Sequence, residues 1–396
     1  MSKNVHIFMF IDALGWEIAQ RHKFLEKLLP YRYPAKMQFG YSSTAIPTIL
    51  TGQPPQVHKH LSFYYYAPEK SPFKIFKWLM LHHLPSRIFN RWRVRHILSK
   101  LIAKFYGFTG YFEMYSMPYD RLPYFDYIEK NDIFVPGGLS PVENLADVLK
   151  KAGLSYHISN WRLKESENIE NLLNELDKGE IEFAFLYTAA LDGLLHMKVN
   201  QTDTIQRKLD WYSERIEELF FKANEKYDHF TLTIVSDHGM TPRTDVVDVK
   251  KAVESLGLKF GDDYAAVYDS TMARFWFITE RSRTKIIPAL RQITNAHLLS
   301  KDEKIKYGID FEDDMYGEEI LLMNPGVQIE PCDMGLKSLP GMHGFAPEDK
   351  DSFASFLSTA NPDNPPGWVG DYFKVMHSRI NELVRTHGEK NIENNA

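Results

Sequence analysis

The chain has 396 residues, 44% hydrophobic and 25% charged, enough apolar material for a large buried core. Its formal net charge of −5 argues against a general nucleic-acid binder, though not against a local basic patch. A single cysteine, Cys332, excludes an intramolecular disulfide framework and a zinc ribbon, so any metal must be held by His, Asp, Glu and hydroxyls.

Val5–Ile11 reads as a buried strand that ends at Asp12. It is short, carries His6 and lacks the parts of a signal peptide. No apolar run approaches the ~20 residues needed to span a bilayer, so the expected address is the cytoplasm. Trp16 to about Leu28 reads as a helix. "PTILTG" closes a further helix on Gly52, a residue suited to the C-cap. From "VENLADVLKKAGL" onward helices and strands alternate. The strands are 156–161, 181–189 and 230–237; the helices are "NIENLLNELDK" and Asp203 to about Lys226. That rhythm predicts an α/β fold, a mostly parallel sheet with helices on both faces. Residues 388–396, "GEKNIENNA", read as a frayed polar tail.

Residues 63–140 break the rhythm. They are rich in aromatic and basic residues and read as a helical cap inserted into a core made of 1–62 and 141–396. Residues 260–335 read as a smaller antiparallel subdomain within that core. Across 70–104 the basic residues are Lys70, Lys74, Lys77, Arg87, Arg91, Arg93, Arg95, Lys100 and Lys104, with one acid, Glu69, just before them. Apolar residues from Phe73 to Phe105 interleave. The plain reading is a cap packed on the core with its charges solvated. The alternative is a basic amphipathic surface that touches anionic membrane or holds a lipid-linked phosphate.

In open α/β sheets, ligands gather beyond the carboxyl ends of the strands. Asp12 stands there after the first strand, Asp192 and His196 after 181–189, and Asp237 and His238 after 230–236. His343 lies between two glycines in "GMHGF", and Ser42 heads the triple hydroxyl of "YSSTAIPTILTG". Three Asp, three His and a hydroxyl suit two divalent ions, most simply zinc, with manganese the second choice.

In this order the residues resemble the alkaline phosphatase superfamily, and within it the type I phosphodiesterase/nucleotide pyrophosphatase group. The resemblance covers about 4–62 and 140–350 and leaves the insertion uncovered. It implies an alkaline-phosphatase-like core and hydrolysis of a phosphodiester or pyrophosphate through a covalent phospho-Ser intermediate. It also implies one metal on Asp192, His196 and His343, and a second on Asp12, Asp237, His238 and the nucleophile oxygen. In that group the nucleophile lies nine residues before the Thr of Thr-Gly, which selects Ser42 from Thr51. Pro47, five residues beyond Ser42, is the departure: if it delays the helix start, Thr44 becomes the candidate.

Where the nucleotide pyrophosphatases carry a phosphate-contacting Asn, this chain has Phe63, and Lys59 replaces the Gly after His58. A nucleotide is therefore not assured, and a small-molecule or lipid-linked phosphate ester is the broader expectation. His58 and His60 read as structural, with phosphate contact as the alternative; Tyr64, Tyr65 and Tyr66 either line the pocket or pack under the cap. A sulfatase is excluded because Ser43, Thr44, Ala45 and Ile46 follow Ser42 where x-Pro-Ser-Arg is required. The insertion does not resemble that of a cofactor-independent phosphoglycerate mutase. Phosphomonoesterase and phosphotransferase activity on a lipid- or sugar-linked phosphate stand as alternatives, as does a catalytically silent metal-binding protein.

Overall fold

The computed structural model of the chain describes residues 3–79 and 91–393, with side chains over 3–77 and 91–387. Its central strand, Asn4–Ile11, is buried along nearly its whole length. Val5, Ile7, Met9 and Ile11 enter one apolar layer, and Phe8 and Phe10 enter the opposite one. A strand apolar on both of its alternating faces is stable only inside a sheet covered on both sides.

The sheet has six strands in the order Tyr31–Ala35, Ala354–Ser358, His229–Val235, Asn4–Ile11, Phe183–Thr188, Tyr156–Ile158. The last four run parallel. Ala354–Ser358 is antiparallel to both of its neighbours, so one edge of the sheet is antiparallel. Helices Trp16–Arg21, Glu165–Lys178, Ala190–Lys198 and Thr202–Lys226 cover one face. Helices Ser42–Thr51, Leu145–Ala152 and Asp371–Glu393 cover the other. This is the α/β core expected from the alternation of elements.

Two segments sit beside that core. Within 260–335 a four-stranded antiparallel sheet runs Tyr264–Tyr268, Met272–Phe277, Glu319–Met323, Ala296–Leu298. Within 63–140 the described residues form a short hairpin, Tyr64–Tyr66 against Phe125–Tyr127, the helix Trp92–Tyr106, the short helix Ile75–Leu79 and irregular chain. Its aromatic cluster (Tyr64, Phe73, Phe112, Phe125, Tyr127) packs on Ala265, Val267 and Trp276 of the second sheet. Arg87, Ile88 and Phe89 of the basic stretch lie outside the described residues. Arg95 is not a surface charge: it is buried, donates to the Met117 carbonyl at 2.8 Å and lies over the Tyr119 ring.

Two local expectations are corrected and one alternative falls. The first helix stops at Arg21, because Lys23 turns left-handed and the Phe24 N–H returns to the Ala19 carbonyl at 3.0 Å. Pro47 does not delay the second helix, which runs unbroken over Ser42–Thr51 and closes on Gly52 at φ 67°. Residues 388–393 continue the helix Asp371–Glu393 rather than fraying.

Candidate active site

The loop after the central strand is shaped by a carboxylate and two glycines. Asp237 Oδ1 accepts from the Ala13 N–H at 3.2 Å and from the His238 N–H at 3.0 Å, tying the ends of two parallel strands together. A Cβ on Gly15 would lie 2.4 Å from the Gly239 Cα, and one on Gly239 would lie 2.1 Å from the Asp351 carbonyl oxygen. The glycine after Asp237-His238 is therefore a packing requirement, since three backbones cross there with no room for a side chain.

Asp192 and His196 lie four residues apart on the helix Ala190–Lys198, hence on one face. His196 Nε2 is 3.3 Å from Asp192 Oδ1, and His343 Nε2 is 3.6 Å from the same oxygen. His238 Nε2 lies 3.1 Å from Asp237 Oδ2, 3.7 Å from Asp12 Oδ1 and 3.0 Å from Ser42 Oγ. The ligand-type atoms of Asp192, His196 and His343 lie within 4.8 Å of one another, as do those of Asp12, Asp237 and His238. The structure thus gathers all seven residues singled out from the sequence into two abutting groups.

The donor chemistry fits cations. His196 Nδ1 donates to the Gly341 carbonyl at 2.9 Å and His238 Nδ1 to the Gly239 carbonyl at 2.8 Å, which turns each Nε2 lone pair toward the carboxylates. Lone pairs that face carboxylate oxygens repel unless a proton or a metal ion lies between them. Asp12 Oδ1, Asp192 Oδ1, Asp237 Oδ2 and His343 Nδ1 are all buried without a hydrogen-bond partner among the described residues. Each orphan costs roughly 1–3 kcal/mol, more for a charged group. Oxygen and imidazole donors in threes match the ligand preferences of zinc.

Burial, and then Asp237 and Asp192 nearby, pushes the Asp12 carboxyl well above its usual range. For Asp192 burial acts in the same direction, but the His196 imidazole beside it and the neighbouring His343 and His238 outweigh it and hold it low. Burial opposes charge on His238 and His196, while Asp237 and Asp192 respectively raise them. His343 is held well below its ordinary value by burial and by His238.

The three hydroxyls separate cleanly. Ser42 is the first helical residue, and its hydroxyl faces His238. The N–H groups of Ser42 and Ser43 have no acceptor among the described residues. The Thr44 hydroxyl points away, to the Leu61 carbonyl, and also accepts from the Tyr41 N–H at 3.3 Å. Ser43 Oγ is buried and unpartnered beside the cleft.

That cleft has two lobes that share Ser42, Ser43, Phe63, Tyr115 and Asp192, of about 270 and 320 Å3. The first is walled by Phe63, Tyr111, Tyr115, Phe134, Trp161 and Tyr187, with Glu129 and Asn131 among them. Burial pushes the Glu129 carboxyl up to about 8. Sequence reading singled out Phe63 but missed Glu129, Tyr111, Tyr115 and Trp161, which no motif spacing marks. Tyr64, Tyr65 and Tyr66 line neither lobe: Tyr64 is core, Tyr65 donates to Asp126 at 2.6 Å and Tyr66 stacks on Trp276. His58 and His60 are structural, with His58 Nε2 on the Thr48 hydroxyl at 2.9 Å and the His60 N–H on His58 Nδ1 at 3.1 Å.

A family model described as type I phosphodiesterase / nucleotide pyrophosphatase matches residues 7–346. The chain belongs to this family. No curated protein sequence matched. Among solved structures, murine ectonucleotide pyrophosphatase / phosphodiesterase 5 superposes with a TM-score of 0.66 at 14% identity, covering 96% of this chain and 95% of that one. The human counterpart gives 0.65 at 13% identity with coverage of 96% and 95%. An inactive variant of the murine protein in complex with AMP gives 0.65 at 14% identity with the same coverage. At these identities the likeness establishes the fold, which is the alkaline-phosphatase-like fold expected above. Membership in the phosphodiesterase/nucleotide pyrophosphatase family supports hydrolase activity on phosphodiester or pyrophosphate bonds.

Proposed function

We propose that the chain hydrolyses a phosphodiester or pyrophosphate bond with Ser42 as nucleophile at a centre for two divalent ions. Asp192, His196 and His343 would hold one; Asp12, Asp237, His238 and the Ser42 oxygen would hold the other, zinc being the simplest choice and manganese the second. The observation that carries this reading is the convergence of unpartnered acceptors on the point where Ser42 Oγ stands 3.0 Å from His238 Nε2. Divalent ions bound there supply Lewis acidity and neutralise charge on the transferring phosphoryl group.

The chain's own residues do the rest. Ser42 gives up its hydroxyl proton to solvent, and its Oγ bonds to phosphorus as the opposite ester or anhydride P–O bond breaks. The leaving oxygen takes up a proton from solvent where it needs one, and phospho-Ser42 forms. Water then attacks from the vacated side and restores Ser42. The free N–H groups of Ser42 and Ser43, at a helix N-terminus, offer hydrogen bonds to phosphoryl oxygens. Gly341 and Gly239 fix the tautomers of His196 and His238, and Asp237 Oδ1 ties the loop that follows Asp12 to the one that carries His238.

For substrate, the aromatic walls around Phe63 and Trp161 favour a leaving or retained group with a flat or apolar face. One structural neighbour carries AMP, which supports a nucleotide. Phe63, standing where the resemblance predicts an Asn, favours keeping lipid- or sugar-linked phosphates in the screen, as diesters, monoesters or phosphotransfer donors. The test pairs metal analysis of the purified protein with turnover of bis-p-nitrophenyl phosphate, p-nitrophenyl phosphate, a dinucleotide and a lipid-linked diphosphate. Diester or anhydride turnover that vanishes on chelation and in Ser42→Ala is the expected result. Bound metal without turnover of any ester would instead leave a silent metal-binding protein.

A further inference from the structure

The helix Trp92–Tyr106 exposes what a helix packed on a core ordinarily hides. Ile97 and Leu101 are each 58% exposed, Phe105 82% and Trp92 70%. Ile97, Leu101 and Phe105 recur every four residues and form one outward ridge. At roughly 100° per residue, Arg93, Lys100 and Lys104 fall on the adjoining sector. All three are exposed and make no ion pair among the described residues, and the helix contains no acid. Its buried side is already satisfied: Arg95 reaches Met117, Ser99 accepts from the Met114 N–H, and His96 pairs with Glu113. The apolar ridge therefore has no partner among the described residues.

We propose that this face docks on an anionic lipid bilayer, with Ile97, Leu101 and Phe105 entering the headgroup–acyl boundary and Arg93, Lys100 and Lys104 meeting lipid phosphates. An apolar ridge bordered by basic residues is the pattern of a helix lying in the interface plane. No described helix is long and apolar enough to cross a membrane. The charge is local, because the chain as a whole carries −5 and would otherwise be repelled by such a surface. A protein partner would match the ridge as well, but the unpaired cations alongside it call for a dense anionic surface, which a bilayer supplies. The helix also leads into the cleft: it ends at Gly107, and Gly110 and Tyr111 line the lobe beside Ser42. Docking would hold the mouth of that lobe near the membrane surface.

The test is co-sedimentation of the full chain with phosphatidylcholine vesicles, with and without phosphatidylserine. Binding to the anionic vesicles alone, falling as salt is raised, is expected. Lys100→Gln and Lys104→Gln should each weaken partitioning about fivefold. Leu101→Asp with Phe105→Asp should abolish it; both side chains are exposed, and unchanged circular dichroism and thermal midpoint would show the fold intact. No binding to anionic vesicles at low salt overturns the proposal, as does binding that these substitutions leave unchanged. Self-association lost in Leu101→Asp/Phe105→Asp, without vesicle binding, would overturn it in favour of a second copy of the chain. Because the readout involves no turnover, its failure leaves the hydrolase reading standing.

Discussion

The imidazoles of His238 and His343 lie face to face, ring centroids 3.7 Å apart and planes 13° from parallel. One follows the parallel strand His229–Val235; the other follows the short strand Gly341–Met342. The latter pairs with Thr241–Pro242, just beyond His238, so a two-stranded ladder sets the stack. Each ring belongs to a different candidate ligand group, and the stack brings the two groups together. With His343 held neutral by burial and by His238, its lone pair stays available. His343→Ala should lower bound metal by about one ion per chain and cost more turnover than the roughly 10–100-fold typical of an outer partner. Full metal content in the variant, measured by mass spectrometry, would remove His343 from the ligand set.

The hydroxyls make a sharper test. Ser42→Ala should reduce turnover by several orders of magnitude, as loss of a nucleophile does, while keeping most of the bound metal. Thr44→Ala loses a buried hydrogen bond to Leu61 and should cost on the order of 1 kcal/mol in stability with little change in rate. If Thr44→Ala is the inactive variant and Ser42→Ala turns over normally, the nucleophile lies two residues further on.

Glu129 gives a pH signature. Burial raises its folded pKa from 4.5 to about 8, so between those values the folded state holds a proton that the unfolded state has released. Stability from this group is complete below the ordinary carboxylate range and is lost as pH climbs toward about 8. Glu129→Gln removes that loss, so its stability advantage in urea titrations should grow with pH across this window and reach a few kcal/mol, roughly 1.4 kcal/mol for each pH unit crossed. An ionised Glu129 would also repel an anionic substrate in the lobe it lines. Wild-type KM should therefore rise above pH ~8 while that of Glu129→Gln stays flat, judged against the same titration baseline. Parallel KM profiles for the two proteins would take Glu129 out of substrate binding.

What the sequence revealed and what it hid divide along a physical line. Asp12, Asp192 and Asp237 were legible because each closes or follows a long apolar run, and runs of that kind belong to central parallel strands. The two strands at the antiparallel end of the sheet were not read. Tyr31–Ala35 carries Pro34 and little apolar alternation, and Ala354–Ser358 is five residues with two serines. Each gets its place from pairing with a neighbour. Glu129 and Trp161 were invisible for a related reason. Glu129 follows the hairpin strand Phe125–Tyr127 and Trp161 follows the core strand Tyr156–Ile158, both on irregular chain, which leaves no period to read. Tyr65 and Tyr66 were ambiguous from sequence; the hairpin with Phe125–Tyr127 turned them away from the site.

The last prediction concerns how the segment after the nucleophile helix is held. Arg274 is fully buried and donates to Asp269 at 2.9 Å, to the Tyr64 carbonyl at 2.7 Å and to the Ser62 hydroxyl at 3.0 Å. Ser62 in turn donates to Asp269 at 3.1 Å, closing the network. It fastens the antiparallel sheet to residues 62–64, beside the Phe63 that walls both lobes of the cleft. Removing one partner of a buried pair leaves the other charge uncompensated, at a cost of roughly 3–5 kcal/mol, whereas removing both can be close to neutral. Arg274→Met should therefore destabilise strongly, and adding Asp269→Leu should recover part of the loss, a coupling that a double-mutant cycle in urea would measure. Turnover in the double variant should fall through KM, because Phe63 loses its anchor while Ser42 and its neighbours are untouched. Additive losses, with no recovery in the double variant, would mean that the pair is not the fastening point.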